Sequence, residues 1–453
     1  MSRSLTTRDT GRQYAFNLTV LISSIFGLAL AGPSTYDGVL VLTAFVGFGV
    51  GGNIPIDTTI CLEFLPQEKR FLLAVLSIFQ PLGVVISCAI TYGLLPRFSC
   101  GNGADGEKLP SCKNVAKGQP CCTKESNMGW RYTLIVLGAI TLFIFFLRFV
   151  VFRFQESPKF LLYRGRDEKA VHVLHHVAKF NKRDTSISLE TFDALTSEDN
   201  STISNDTPSS MLGGGKMLDK ASWGDKLKME LSRYKILFST FDMARLTILV
   251  WITYIFDYWG FSIAGTPYLP SLQQIFSVLT SNLGSFLPKI LLQKNSEINI
   301  STEESYRNFI LIYFPGIFGV LLGATMYAVP RVGRKWAMMG SSALMGLSLF
   351  LFATVNTQAS NIGLNVMEYF FQSMFNAVLY GWTPEAFPAP IRGTACGVAS
   401  FWGRLFSIVS PLIAAKLLTK SLNGPLYLAG AGVFVCTIAI TLMPTKSMGA
   451  QSY

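Results

Sequence analysis

The stretch Glu385-Ala-Phe-Pro388-Ala-Pro-Ile-Arg392 closes a long apolar segment with a carboxylate, a proline and an arginine in the spacing ExxPxxxR. The spacing recurs in Glu63-Phe-Leu-Pro66-Gln-Glu-Lys-Arg70, 322 residues upstream. Gly11-Arg12-Gln13-Tyr14-Ala15 and Gly333-Arg334-Lys335-Trp336-Ala337 match each other at the same offset of 322. Two unrelated patterns locked to one offset require a duplicated unit. Any fold for this chain is therefore built from two related halves.

Between the motifs the chain is too apolar for a soluble fold. Half of its 453 residues are hydrophobic, 14% are charged, and the mean hydropathy is +0.39. A bilayer core about 30 Å thick asks for about 20 apolar residues per crossing helix. Ten stretches supply them: 14–31, 38–56, 71–95, 130–152, 246–264, 308–329, 336–353, 364–382, 393–417 and 425–443. The expected fold class is all-α, a polytopic membrane protein. Residues 1–153 make a first half of four spans, 154–243 a cytoplasmic connection, 244–443 a second half of six, and 444–453 a tail. Residues 271–293 are partly apolar but carry Gln273, Gln274, Pro288 and Lys289, and are placed outside the membrane.

Through the repeat, spans one to four match seven to ten, whereas five and six have no counterpart. The duplication thus carries the expectation that sequence upstream of Met1 encodes two more spans joined to the Gly11-Arg12 turn.

The formal net charge is +11, and its distribution argues for membrane topology rather than nucleic-acid binding. With the N-terminus in the cytoplasm, 25 Lys and Arg fall on the cytoplasmic side and 10 outside. That is the bias of an N-in, C-in topology, in the plasma membrane or an organelle.

The loop after the third span holds Cys100, Cys112, Cys121 and Cys122 on the oxidising side. They predict one or two disulfides of undetermined pairing; a zinc site is the alternative, with no histidine nearby. An amphipathic helix ending near Phe180 follows the fourth span and carries His172, His175 and His176, read as a solvated or lipid-facing surface rather than a metal site. From residue 182 to about 224 the composition becomes that of a disordered linker. Its sequons at Asn200 and Asn205 would stay unmodified in the cytoplasm, whereas Asn299 lies outside. Gly213-Gly-Gly-Lys216 lacks the strand and the Ser or Thr of a phosphate loop. No nucleophile elbow, HExxH or redox CxxC is present, so the sequence gives no support for an enzyme, a cofactor or a metal.

Two ionisable residues fall inside spans, Asp257 and Arg404, and both are expensive to expose to lipid. Asp257 lies near the midplane, where it is a candidate proton-coupling group or a static partner of Arg404. Tyr369, Gln372, Asn376 and Tyr380 follow one another at steps of 3, 4 and 4 on one helical face. Such a stripe touches water or substrate, or else hydrogen-bonds a neighbouring helix. Gln80, Tyr258 and Trp259 are further cavity candidates. Gly47, Gly49, Gly51 and Gly52 in the second span offer a neighbouring helix a close approach.

The two GR turns, the doubled ExxPxxxR, and Glu156-Ser-Pro-Lys-Phe-Leu161 followed by Gly165-Arg166 together resemble the major facilitator superfamily, in its sugar-porter-like and synaptic-vesicle-protein-like branch. The resemblance covers the chain from Gly11 to the last span. It implies a bundle of twelve helices in two six-helix halves, of which this chain would hold about ten, four plus six, beginning between the second and third. The family turn reads DxxGRR, and here Arg8 and Pro330 occupy the aspartate positions.

By residue chemistry alone, the charges at the helix ends are topogenic, on solvated faces. The resemblance implies that Arg12, Glu63, Arg70, Glu156, Arg166, Arg334, Glu385 and Arg392 form an intracellular ion-pair gate. It implies secondary active transport of a small polar solute by alternating access. Proton coupling is expected because no ATP-binding motif is present. The expected partners are the solute, protons and the lipid bilayer, with a monomeric protein and no nucleic acid; the alternative is a non-transporting receptor or an inactive remnant.

Overall fold

A computed structural model of the chain describes residues 12–190, 234–264 and 302–444, apart from short breaks at 67–68, 101–108, 111, 113–114, 117–118, 152–155, 164–165, 330–332, 355–356, 389–390 and 422. The sequons at Asn200, Asn205 and Asn299, the stretch 213–216, the segment 271–293 and most of the linker lie outside the described residues.

Among the described residues every regular element is a helix. The first half contains α1 (Arg12–Ala29), α2 (Tyr36–Phe64), α3 (Leu72–Leu76), α4 (Phe79–Leu94) and α5 (Gly129–Val151). Two shorter helices follow, α6 (Pro158–Tyr163) and α7 (Asp167–Phe180). The second half contains α8 (Phe241–Ala264), α9 (Thr302–Tyr313), α10 (Pro315–Ala328), α11 (Gly333–Leu351), α12 (Gln358–Ala386), α13 (Arg392–Leu418) and α14 (Gly424–Leu442).

The offset of 322 holds at the level of single helix ends. It carries both ends of α2 onto both ends of α12, each 29 residues long, and the last residue of α1 onto the last of α11. Both long helices stop for the same local reason. Leu65 and Phe387 each precede the proline of ExxP, whose ring clashes with a helical predecessor. Both are accordingly extended, with ψ 132° and 144°.

Seven helical runs are long and apolar enough to cross a membrane: Leu72–Leu94, Gly129–Arg148, Phe241–Ile263, Arg307–Ala328, Gly333–Thr354, Arg392–Leu418 and Gly424–Leu442. They coincide with seven of the ten expected spans. The first two expected spans contain the shorter apolar runs Asn17–Ala29 and Tyr36–Gly51. The eighth is α12, ample in length but diluted in apolarity by its own polar face. The sixth breaks at Phe314, because Pro315 cannot donate to the preceding turn and opens a new helix.

The exterior is apolar, with Phe48 73%, Phe143 65% and Ile408 66% exposed. Such a surface suits lipid and would aggregate in water. Inside, glycines set the spacing between helices. A side-chain carbon at Gly323 of α10 would lie 2.9 Å from the Met374 carbonyl of α12, and one at Gly319 would collide with the Phe370 carbonyl. In the second span it is Gly49 that meets a neighbour closely, since a side-chain carbon there would lie 2.8 Å from the Thr19 carbonyl of α1, while one at Gly47 would face open space. The two halves meet where α3 packs on α10 and α12, α2 on α13, and α4 on α9.

Candidate functional site

At one end of the bundle three donors converge on Glu385, which is 5% exposed in the last turn of α12. Arg70 Nη1, from the first half, donates to Oε1 at 3.0 Å. Arg334 Nη1, from α11, lies 3.2 Å from Oε2, and the Tyr327 hydroxyl of α10 donates to the same oxygen. The Arg334 guanidinium also covers the Tyr327 ring, 4.4 Å from its centroid. The arginine of one ExxPxxxR copy thus pairs with the glutamate of the other. Helix ends tie down nearby: Lys335 Nζ donates to the Thr441 and Met443 carbonyls, and Arg245 Nη2 to that of Leu442, closing the C-terminal carbonyls of α14 with cations.

The other residues of the expected gate lie at helix ends too. Arg392 is buried at the start of α13, and Glu63 is half-buried in the last turn of α2. Glu156 and Arg166 are half-buried, one before and one after α6. Arg12 opens α1, and its side chain lies outside the described residues.

A cavity of about 440 Å³ lies between the halves. The first half contributes Asp57 and Thr58 from α2 and Ser77 and Gln80 from the α3–α4 junction; the second contributes Asp257 and Tyr258 from α8, Gln372, Asn376 and Tyr380 from α12, and Arg404 from α13. Asp257 is 3% exposed, and its Oδ1 has no hydrogen-bond partner; the same holds for Asn376 Oδ1. Tyr380 donates its hydroxyl to that of Tyr258 at 3.4 Å, and the Tyr254 hydroxyl donates to Thr383 Oγ1 at 3.1 Å. Arg404 Nε reaches Ser400 Oγ at 3.4 Å, and its Nη1 lies 3.8 Å from where a side chain at Gly51 of α2 would begin. That glycine leaves room for the guanidinium to bridge the two halves.

Of the cavity residues expected from sequence, Gln80, Tyr258, Gln372, Asn376 and Tyr380 line this space together with Asp257 and Arg404. Trp259 and Tyr369 do not. Trp259 points to α14, where Nε1 donates to the Leu428 carbonyl at 3.4 Å. Tyr369 is packed against Tyr313 of α9, ring centroids 4.7 Å apart. Trp259 is one residue along from Tyr258, a rotation of roughly 100° about the helix axis, and Tyr369 stands three residues before Gln372, about 60° off its face. No ion pair joins Asp257 to Arg404 among the described residues, so the static-partner alternative is not realised here.

Two carboxylates escaped the sequence reading. Asp57 was set outside because the second apolar stretch ends at residue 56, although α2 continues to Phe64. Glu368, 3% exposed, was passed over inside the eighth span. It stands four residues before Gln372, in step with Asn376 and Tyr380, and that spacing was the available signal.

Away from the cavity, the structure bonds Cys100 to Cys122 and Cys112 to Cys121, with Cα atoms 5.7 and 4.9 Å apart. His175 Nε2 contacts the Ile187 carbonyl at 2.9 Å, and no cluster of metal-binding side chains occurs among the described residues.

The family described as "Sugar (and other) transporter" matches residues 2–211. The MFS siderochrome iron transporter 1 of Ceriporiopsis subvermispora (strain B) is 34% identical over 455 residues, covering 98% of this chain and 76% of that protein. The chain belongs to the major facilitator superfamily. It is an integral membrane transporter of the sugar-porter-like kind. Synaptic vesicle 2-related protein from Pongo abelii is 24% identical over 448 residues, 97% of this chain and 68% of that one. The solved proton:xylose symporter XylE, bound to 6-bromo-6-deoxy-D-glucose, matches with a TM-score of 0.61 at 15% identity, covering 96% of this chain and 80% of XylE. That likeness shows the major facilitator fold.

Proposed function

We propose that this major facilitator protein moves a small polar solute by alternating access driven by the proton gradient, with the Glu385 cluster as its cytoplasmic gate. The observation that carries the reading is one buried carboxylate clamped by an arginine from each half, next to a cavity that both halves line. Tyr380 of the cavity stands only five residues before Glu385 on α12, roughly 8 Å along the helix. While the clamp holds, solute cannot leave at that end. When both pairs part, the halves are free to rock and open it. Both arginines keep part of their surface exposed, 14% and 23%, so water can take over their charge when the pairs part, which suits a gate that cycles.

Asp257 is the candidate coupling group, an ionisable side chain at membrane depth that faces the cavity. In this reading it carries a proton in one part of the cycle and releases it to cavity water in another.

Proteoliposomes holding the purified chain, offered a mixture of labelled polar metabolites under an imposed pH gradient, test the proposal. Accumulation of a solute above its outside concentration, abolished by a protonophore, is the expected result. Solutes that stabilise the protein thermally but never enter the vesicles would favour a receptor instead.

A further inference from the structure

The cavity combines acceptors without donors and a cation without an anion. Asp257 Oδ1 and Asn376 Oδ1 are buried, lack hydrogen-bond partners and line the space. A buried acceptor left unpaired costs roughly 1–3 kcal/mol, and a charged one more, so these atoms call for a donor brought in from outside. Arg404 lines the same space with no carboxylate within 4.0 Å among the described residues, where its guanidinium makes one long side-chain bond, to Ser400. A guanidinium offers five donors in a planar fork suited to a carboxylate.

A second acid, Asp57 of α2, also lines the cavity with a buried Oδ1 that lacks a hydrogen-bond partner, so two carboxyl groups and one guanidinium, that of Arg404, face the space. Asp257 is the acid on the same half as Arg404. Next to Asp257 stand the rings of Tyr258 and Phe261, faces that attract an ammonium group.

We propose that this cavity selects zwitterions, solutes bearing an ammonium group for Asp257 and a carboxylate for Arg404, over neutral sugars. Measured from the Glu385 end, Arg404 lies twelve residues into α13 and Asp257 sixteen into α8, about 18 and 24 Å at ~1.5 Å per residue. The two poles thus differ in depth by roughly one helical turn. A compact amino acid or betaine spans such a gap. The ammonium group and a proton then compete for Asp257, which ties this inference to the transporter reading: each solute that binds there displaces a proton to the water of the cavity.

Binding to the purified chain in lipid nanodiscs, followed by calorimetry, tests the selectivity directly. The probes are glycine, β-alanine and γ-aminobutyrate, their trimethylated betaines, the matching alkyl carboxylates and alkylammonium ions, and glucose. At least one zwitterion is expected to bind about 10-fold or more tightly than its carboxylate half, its ammonium half and glucose. Asp257→Asn should erase the preference over the carboxylate half, and Arg404→Gln the preference over the ammonium half. Binding of glucose or of a half-molecule as tight as the best zwitterion overturns the proposal. So does the absence of binding by every zwitterion. The wild-type panel decides the matter even if either variant fails to fold. Uptake by vesicles is scored separately: a zwitterion that binds but is not carried leaves the selectivity standing and sinks the transport reading, and carriage of glucose alone does the reverse.

Discussion

Glu385 gathers three donors, two from helices α10 and α11 and one from the turn before α3, so its removal bears on the gate more heavily than the loss of any one donor. Glu385→Gln keeps the shape, removes both ion pairs and leaves Arg70 and Arg334 beside a neutral amide. Breaking a buried pair from one side costs about 3–5 kcal/mol, and the closed end bears that cost. In a chain stripped of Cys61, Cys88, Cys396 and Cys436, a reporter at Ser77→Cys should react several-fold faster with reagent supplied from the Glu385 side when Glu385→Gln is added. Arg70→Ala should give a smaller increase in the same direction. Unchanged labelling in both would leave these residues as topogenic charge only. At this scale the sequence was informative where spacing carried the signal. The glutamate and arginine of ExxPxxxR were legible, as were five cavity side chains. What it did not supply was rotation about the helix axis: Trp259 sits one residue from Tyr258 and Tyr369 three from Gln372, and a helix turns through roughly 100° per residue. Asp57 was lost for another reason, because an apolarity window ends where polar residues begin, whereas the hydrogen-bonded helix runs on.

Helix pairs are held at the distance their glycines permit. α10 presents Gly316, Gly319 and Gly323 to α12, and the Phe370 and Met374 carbonyls lie against the last two. Without a hydrophobic drive between helices in lipid, this close packing is a principal source of their attraction. Gly323→Leu should therefore lower thermal stability in detergent by an amount corresponding to roughly 1–3 kcal/mol, the usual cost of overpacking. Gly340→Ala, where a new carbon meets nothing within 4 Å, should leave the melting temperature unchanged or raise it slightly, since alanine is the better helix former. Equal effects from both would mean that the α10–α12 approach is not what fixes this half. Helix ends were the most legible elements, since proline fixes them locally: the residues before Pro66 and Pro388 stop two helices of equal length. The division at Ser77 between α3 and α4 has a marker of the same kind, although the expected span runs through it unbroken: Pro81 cannot donate to the Ser77 carbonyl four residues back, and its ring crowds that carbonyl.

At the scale of the molecule, the duplication implies that the two halves present the same end to the same side of the membrane, and the structure gathers Arg70, Arg334 and Glu385 accordingly. Lys and Arg outnumber acidic residues across the chain, 38 to 27, and the excess lies on the side of those motifs, so by the positive-inside rule we propose that the Glu385 end faces the cytoplasm. The opposite side holds the loop with its two disulfides, bonds that form and persist in an oxidising compartment. Charge bias and sulfur chemistry are independent, and they agree. A single cysteine at exposed Lys69 should therefore resist a membrane-impermeant maleimide in intact cells, if the chain reaches the plasma membrane, and react once the membrane is permeabilised. One at Glu125 should react without permeabilisation. Reversal of the two would invert the bundle and turn the Glu385 clamp into an outward gate, while leaving the duplication and the fold untouched. The two cysteines thus test the side that each half presents, separately from the architecture itself.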